Sequence, residues 1–494
     1  MEQFSPPLVK PEQLSISSSD SFSNATRLIC ASVYLNNGIR SKLYSFFSNP
    51  HNPIVNSIAI NTEEILTNVL NSFQREKINN LKLFFPAVGL FAVIIYIFFV
   101  VFNNEYYQGD PTFSYLTAIF FYIVCTAIIC RNEWGEKRFV RENFSSNSPR
   151  FSIELSAADA KFISSMKERM CQNVIYFQGY SPFVGSGYDQ GGWSFVVDID
   201  KGKQNFGKSE ATIPFEDSEL YDFIDNGLNN LKIPNLQVED KIFINGKSIR
   251  NNQDILPKIL EHPICEIPHE YFLYALKHIK HSLRHYKVLK LVDWDGDFAL
   301  SGFFRVQKDE RSLFVECNYF VLPPIGSEYR EVDSLKNSFS LKTVVAEFLG
   351  YLITTPFFAI GSIFKTVEDL REPFKRAKYL KELKKQIKES PDYDYGAYTS
   401  LRELVSQSHY TQRFQISDKE RYVKILDKKL FNLLSEFLDI KNIDTSEFKE
   451  RETSILNQGV IVTGGTFTGK NVAVGEKAAI EKQGKTNLKG SVKI

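Results

Sequence analysis

Two uncharged apolar runs near the start of this chain limit its fold more than any other feature. The first, Leu83–Phe102, reads LFFPAVGLFAVIIYIFFVVF; the second, Phe113–Cys130, reads FSYLTAIFFYIVCTAIIC. A helix rises about 1.5 Å per residue, so a run of about 20 residues covers the roughly 30 Å of a bilayer core. A helix buried in a soluble core is the alternative for one such run. Two of them, separated by ten residues, point to a transmembrane hairpin. Arg75, Lys77 and Lys82 precede it, and Arg131, Lys137, Arg138 and Arg141 follow it. The connecting segment NNEYYQGDPT carries Glu105 and Asp110 and neither Lys nor Arg. The positive-inside rule therefore places both termini in the cytoplasm and the connection outside. Tyr106, Tyr107, Tyr115 and Trp134 stand near the ends, where interfacial aromatics belong.

A third apolar stretch, Val344–Phe364, reads VVAEFLGYLITTPFFAIGSIF and contains Glu347 and Pro356. A crossing here would export the rest of the chain. The segment that follows, KTVEDLREPFKRAKYLKELKKQIK, is strongly basic and opposes export. The stretch reads as an interfacial or re-entrant segment or a buried core helix, with a third span as the alternative. The basic helix after it suits either anionic headgroups or plain solvent.

At 494 residues the chain calls for two or three folded units. A net charge of +1 lacks the basic surplus of a general nucleic-acid binder. Six cysteines without a CxxC pair fit a reducing compartment better than a disulfide scaffold. Residues 1–24 lack the basic and apolar blocks of a signal peptide and read as a disordered lead. Residues 25–80 read as a cytosolic helical segment, on the periodicity of TEEILTNVLNSF.

The expected fold class is α+β: a two-helix hairpin at 83–130 anchors a cytosolic domain with an antiparallel sheet at 150–335. A charged helical region at 365–450 and a Gly-rich β tail at 455–494 follow. WSFVVDID alternates as a strand does, and Asn245-Gly246 in KIFINGKSI carries a type I′ hairpin signature. YKVLKLVDW, FALSGFFRV and RSLFVECNYFVL, separated by DGD and QKDE, predict a three-stranded antiparallel meander. The preceding HEYFLYALKHIKHSLRHY predicts a helix.

Candidate chemistry is sparse. GGTFTGKN resembles a phosphate loop, but Asn471 replaces its Ser or Thr and too little chain follows for a nucleotide domain. The tail phrase NVAVGEKAAI is similar to a single rung of the β-roll repeats in trimeric adhesin heads. One rung cannot bury its own face, which suggests stacking between subunits and a homo-oligomer. His278, His281 and His285 fall on one face of the predicted helix, with Arg284 among them. That strip suits a small anionic ligand or a headgroup, a metal, or simply solvent. Asp293, Asp295 and Asp297 cluster without an EF-hand frame and read as a turn. The loop GYSPFVGSGYDQGGW offers Gly179, Ser181, Gly185, Ser186 and Gly187 as a ligand cradle, because glycine lets backbone N–H groups approach closely. No Ser-His-Asp or Cys-His set can be assigned by spacing, so no catalytic residue, metal site or cofactor is assigned.

The phrases GYSPFVGSG with WSF, RSLFVECNYFVLPP with YREVD, DYGAYTSLRE, and LNQGVIVTGG with NVAVG occur in that order. In this the chain is similar to a family of uncharacterised bacterial membrane proteins, common in actinobacteria, with an N-terminal hydrophobic hairpin. The resemblance spans most of the chain from Ala25 and implies a bacterial inner-membrane home; it carries over no catalytic residue. The architecture matches that of hairpin-anchored immunity effectors, by analogy only. It leads to the expectation of a membrane-anchored sensor or effector that binds a ligand or protein partner. A recruiting scaffold and a membrane-surface enzyme are the alternatives.

Overall fold

Ser23 starts the first helix by accepting the Thr26 N–H on its hydroxyl, the usual way to satisfy an orphan amide. The computed structural model describes residues 23–102, 112–146, 153–205, 208–230, 233–277, 281–335 and 341–458. Helices and a mixed sheet fall into two units. The helices are α1 (Asn24–Leu35), α2 (Asn37–Phe46), α3 (Thr62–Phe102), α4 (Thr112–Phe144), α5 (Ala157–Glu168), α6 (Asp217–Asn229), α7 (His269–Lys277), α8 (Glu331–Ser334), α9 (Leu341–Glu389), α10 (Leu401–Val405), α11 (Arg413–Ile440) and α12 (Ser446–Gln458). The strands are β1 (Ile54–Val55), β2 (Met170–Cys171), β3 (Val174–Phe177), β4 (Tyr188–Asp198), β5 (Gln204–Asn205), β6 (Lys208–Ser209), β7 (Leu236–Asn245), β8 (Leu283–Asp293), β9 (Phe298–Lys308) and β10 (Ser312–Leu322).

The first unit comprises Met1–Ser45, Ala59–Ile163 and Ser327–Lys375. Its α1 is buried nearly all round, and Arg27 ties it to the Phe144 carbonyl at 2.7 Å and to Asp333 at 2.9 Å. Tyr34 meets Asn68 and Asn71 of α3 at 2.9 and 2.8 Å. The polar half of α3 is thus packed, whereas its apolar half leaves Phe85, Ile95 and Phe99 more than 60% exposed. Apolar exposure on that scale is what a helix facing lipid presents. Leu83, Ala87 and Leu90 of α3 pack on Cys125 and Ile129 of α4. Gly89 permits the close approach: a Cβ there would lie 2.8 Å from the Phe121 ring. Arg75 pairs with Glu136 at 3.1 Å where the two helices become polar. Among the described residues three helices, α3, α4 and α9, are by length and composition long and apolar enough to cross a membrane.

The stretch 344–364 is helical and largely exposed. It lies within α9, a helix of 49 residues that runs on through Pro356 and Pro373. Only 11% of its apolar window is buried. Thr355 meets Thr126 hydroxyl to hydroxyl at 2.8 Å, and Ala359 joins the cluster that holds α3 to α4.

The second unit comprises Phe46–Ile58, Ser164–Gly326 and Arg376–Ile494. Its sheet runs β3-β7-β8-β9-β10-β4. The expected meander is present as β8-β9-β10, antiparallel throughout, with Leu291 opposite Leu300 and Val315 opposite Val306. Two expectations need correction. The sheet is mixed, because β3 pairs with β7 in parallel, Val174 opposite Ile242. Asn245-Gly246 does not turn a tight hairpin: β7 leaves into a long connection through α7 before β8 returns beside it. Gly246 instead serves close packing, since a Cβ there would overlap the backbone of Gly396.

Strand alternation sends Phe303 and Phe304 to opposite faces. One face carries the main core, where Trp193, Phe195, Phe304 and Cys317 meet Leu430, Phe431 and Leu434 of α11. The other carries Phe243, Tyr286, Phe303 and Phe320. The charged region expected at 365–450 is helical in α9, α11 and α12, and the Gly-rich tail beyond Gln458 lies outside the described residues.

Candidate functional site

The Gly-rich loop joins β3 to β4 and divides into two halves. In the inner half, Phe183 stacks on Phe303 at 4.2 Å and meets Tyr286 edge-on at 5.2 Å. Val184 and Ser186 are buried beside it. Gly185 and Gly187 have φ of +93° and +88°, the left-handed region that suits glycine. A Cβ on Gly185 would come within 2.9 Å of Val55, and one on Gly187 would overlap the Val321 carbonyl. The Gly187 N–H donates to Glu403 Oε1 at 2.8 Å. Glu403 also accepts from the Ser400 N–H at 3.0 Å in the capping box of α10. The amide of Gly187, offered by the sequence as part of a cradle, thus holds the loop to α10. The outer half is open: Gly179 and Ser181 are exposed, nothing lies within 4 Å of a Cβ on Gly179, and Tyr180 stands fully in solvent.

The histidine strip is not a helix face. Helix α7 ends at Lys277 and β8 begins at Leu283, so His281 lies in a turn and Arg284 and His285 lie on a strand. His278 lies outside the described residues. The physical reason is that LRHYKVLKLVD is a central strand, buried along most of its length, that pairs with β7 on one side and β9 on the other. Alternation then separates the neighbours: Arg284 and His281 are exposed, and His285 is buried.

On the face that receives His285 lies a polar relay in which His285 and Lys287 are buried and the carboxylates of Asp240 and Asp225 reach solvent. His285 Nε2 and Asp240 Oδ1 are 2.7 Å apart, and Lys287 reaches Asp240 Oδ2 at 2.7 Å and Asp225 of α6 at 2.6 Å. Register explains the grouping, since Asp240 stands directly opposite Lys287 and diagonal to His285. Tyr221 and Phe272 close over the His285 ring at 4.9 and 5.9 Å. Burial alone would raise the Asp240 carboxyl, but the bonds from His285 and Lys287 outweigh it and hold the group down at about 2. His285 Nδ1 and Asp225 Oδ1 are buried without a hydrogen-bond partner. Charged side chains paired in this way fix the seat of α6 on the sheet.

The remaining polar clusters are also engaged internally. Asp293 accepts from the Trp294 N–H at 2.8 Å and from Tyr422 at 2.6 Å, so the Asp293–Asp297 cluster forms a tight turn between β8 and β9. Arg402 is fully buried and donates to the carbonyls of Gly296 and Pro323 at 3.1 and 2.8 Å. Cys171 and Cys265 stand 2.9 Å apart, sulfur to sulfur. The Cys171 bond, together with His262, lowers the Cys265 thiol against the opposing effect of burial. Asp427 of α11 accepts on one oxygen from Trp193 Nε1 and Tyr319 OH, each at 2.7 Å. Burial pushes its carboxyl up to about 6 despite those two bonds.

Sequence reasoning missed Asp225, Asp240, Lys287, Arg402 and Asp427. Their one signal was a charge inside an otherwise apolar strand or helix face. Hollows open in this unit among the described residues. One, of about 820 Å³, lies along α11 and α12 between Glu436, Asp439, Lys449 and Glu452. Another, of about 340 Å³, is lined by Glu216, Asp217, Leu273, Lys308 and Glu310. Neither is lined by the Gly-rich loop or the relay. Among the described residues no three His, Cys, Asp or Glu side chains group to hold a metal ion.

A family of known proteins does match. The AbeC-like domain covers residues 192–469, more than half of the chain. It begins inside β4 and includes the relay, the meander, α9 and α11, while α3 and α4 lie before it. No curated protein and no solved structure matches significantly. This chain belongs to the AbeC-like domain family.

Proposed function

We propose that this chain is a membrane-anchored sensor or effector of bacterial phage defence, held in the inner membrane by α3 and α4 with both termini in the cytoplasm. One observation carries the reading. The apolar halves of α3 and α4 present uncharged, exposed surface, with Phe85, Phe99 and Phe113 at 68, 64 and 80%. A soluble protein seldom leaves a patch of that kind uncovered. The family's abortive-infection association supports the defence setting. The sheet domain would take the signal, a ligand or a protein partner, at the open tip Gly179–Ser181 or at the exposed Arg284 and His281. Assembly through residues beyond Gln458 would then rearrange the membrane helices.

The test is an anchor exchange. Bacteria carry either the full chain or one whose residues 83–130 are replaced by an unrelated two-span hairpin, and both are challenged with phage. The effector reading expects the exchange to abolish protection and the accompanying loss of membrane potential. Protection that survives the exchange would contradict it and favour a scaffold that recruits a partner.

A further inference from the structure

We propose that the apolar part of α9 lies across the base of the hairpin within the near half of the bilayer, where Thr355 meets Thr126 and Tyr122 reaches the Leu352 carbonyl, with a lipid-facing stripe, and makes no third crossing. The proposal rests on the hairpin reading above. Contacts within the first unit carry it. Glu347 accepts from Trp134 Nε1 at 2.6 Å and pairs with Lys137 at 3.8 Å; Lys365 pairs with Glu76 at 2.6 Å. Trp134 and Lys137 lie just past the apolar run of α4, and Glu76 lies just before that of α3. The Arg75–Glu136 pair at 3.1 Å identifies these as the same end of the hairpin. From Glu347 to Lys365, α9 advances about 27 Å in about five whole turns, so both residues point the same way. A helix alongside the hairpin would carry them to opposite sides of the bilayer core. Both are held at one side.

The core of the second unit supplies an independent argument. Trp193, Phe195 and Cys317 precede α9 in the chain and Leu430, Phe431 and Leu434 follow it, yet they share one hydrophobic core. A single crossing by α9 would put the two groups on opposite faces of the membrane. No crossing keeps them together.

The stripe itself specifies lipid. Val345, Leu349, Ile353, Phe357, Ile360 and Phe364 recur every three or four residues along one side of α9, between 40 and 77% exposed. Glu347, the one charge between Val344 and Phe364, is turned to the hairpin. The stripe thereby continues the apolar surface of α3 and α4.

The full chain in phosphatidylethanolamine–phosphatidylglycerol vesicles tests this by nitroxide depth. Single cysteines carry the label at Leu349, Ile353 and Phe364 on α9, and at Phe85, Ile95 and Phe99 on α3. The native cysteines are all buried, which keeps the background low. The α9 labels are expected within roughly 5–10 Å of the headgroup boundary, with no trend along the helix. The α3 labels deepen from Phe85 to Ile95. A profile that passes through the bilayer centre between Leu349 and Phe364, or full water exposure at all three, overturns the proposal while leaving the hairpin intact. Water exposure along α3 overturns the anchor itself, and the placement of α9 with it.

Discussion

Replacing Asp427 by Asn gives the most direct check on the core of the sheet domain. The carboxyl is 6% exposed and accepts from Trp193 and Tyr319 on the same oxygen. Burial raises it to about 6, and an unfolded aspartate titrates near 3.9. The folded state therefore holds its proton over the range where the unfolded state has released it. The resulting stabilisation is complete below about pH 4 and is lost as pH rises through 6. A difference of about two units corresponds to about 3 kcal/mol, as an order of magnitude. Asn keeps the size and the acceptor oxygen and cannot ionise. The assay is urea unfolding of the full chain in detergent, followed by Trp fluorescence, at pH 4.5 and 7.0. Other shifted carboxyls contribute equally to parent and variant and cancel in the comparison. The parent is expected to lose about 2 kcal/mol more than D427N between the two pH values. Equal losses would refute the reasoning and show that Asp427 is hydrated in the folded state.

Other substitutions probe the loop and the relay. Gly187→Ala is expected to cost more than 2 kcal/mol, because a Cβ meets the Val321 carbonyl, whereas Gly179→Ala at the open tip costs about 1 kcal/mol; equal unfolding midpoints would remove the distinction between the two halves of the loop. Lys287→Met strands Asp225 and Asp240 without their cation and should cost about 2 kcal/mol, a figure reduced because both carboxylates reach solvent; an unchanged midpoint would remove the relay's structural role. Because Asp240 is held down at about 2, its contribution is present above pH 4 and declines as pH falls toward 2, and Asp240→Asn should flatten acid unfolding in that window. Arg402→Met deprives the Gly296 and Pro323 carbonyls of their donor and should lower stability by about 3 kcal/mol, read as a shift in thermal midpoint.

The hairpin helices were legible because no charge interrupts their apolar runs, and the meander because β8, β9 and β10 are β-rich runs separated by polar turns. The helix expected through His278, His281 and His285 failed for an identifiable reason. HEYFLYALK is helical, and the residues that follow carry apolar positions compatible with both periods; pairing with β7 and β9 decided for strand. The parallel partner of β7 is β3, which lies some sixty residues earlier, and no local pattern announces it. Lys287 and Asp427 read in sequence as solvated charges. Only the opposing surfaces, α6 for one and β4 with β10 for the other, make them buried groups. The Gly-rich loop was visible as a loop, but Phe183 entering the core is what takes half of it out of reach of a ligand.

The anchored topology is tested most directly by thiol labelling with a membrane-impermeant maleimide in intact spheroplasts and in inverted membrane vesicles. Single cysteines stand at Tyr107, between α3 and α4, at Tyr180 on the loop tip, and at Tyr398, which is 80% exposed after α9. The account predicts labelling of Tyr107→Cys from outside only, and of Tyr180→Cys and Tyr398→Cys from the cytoplasmic side only. Labelling of position 398 from outside, or of position 107 from inside, would contradict it.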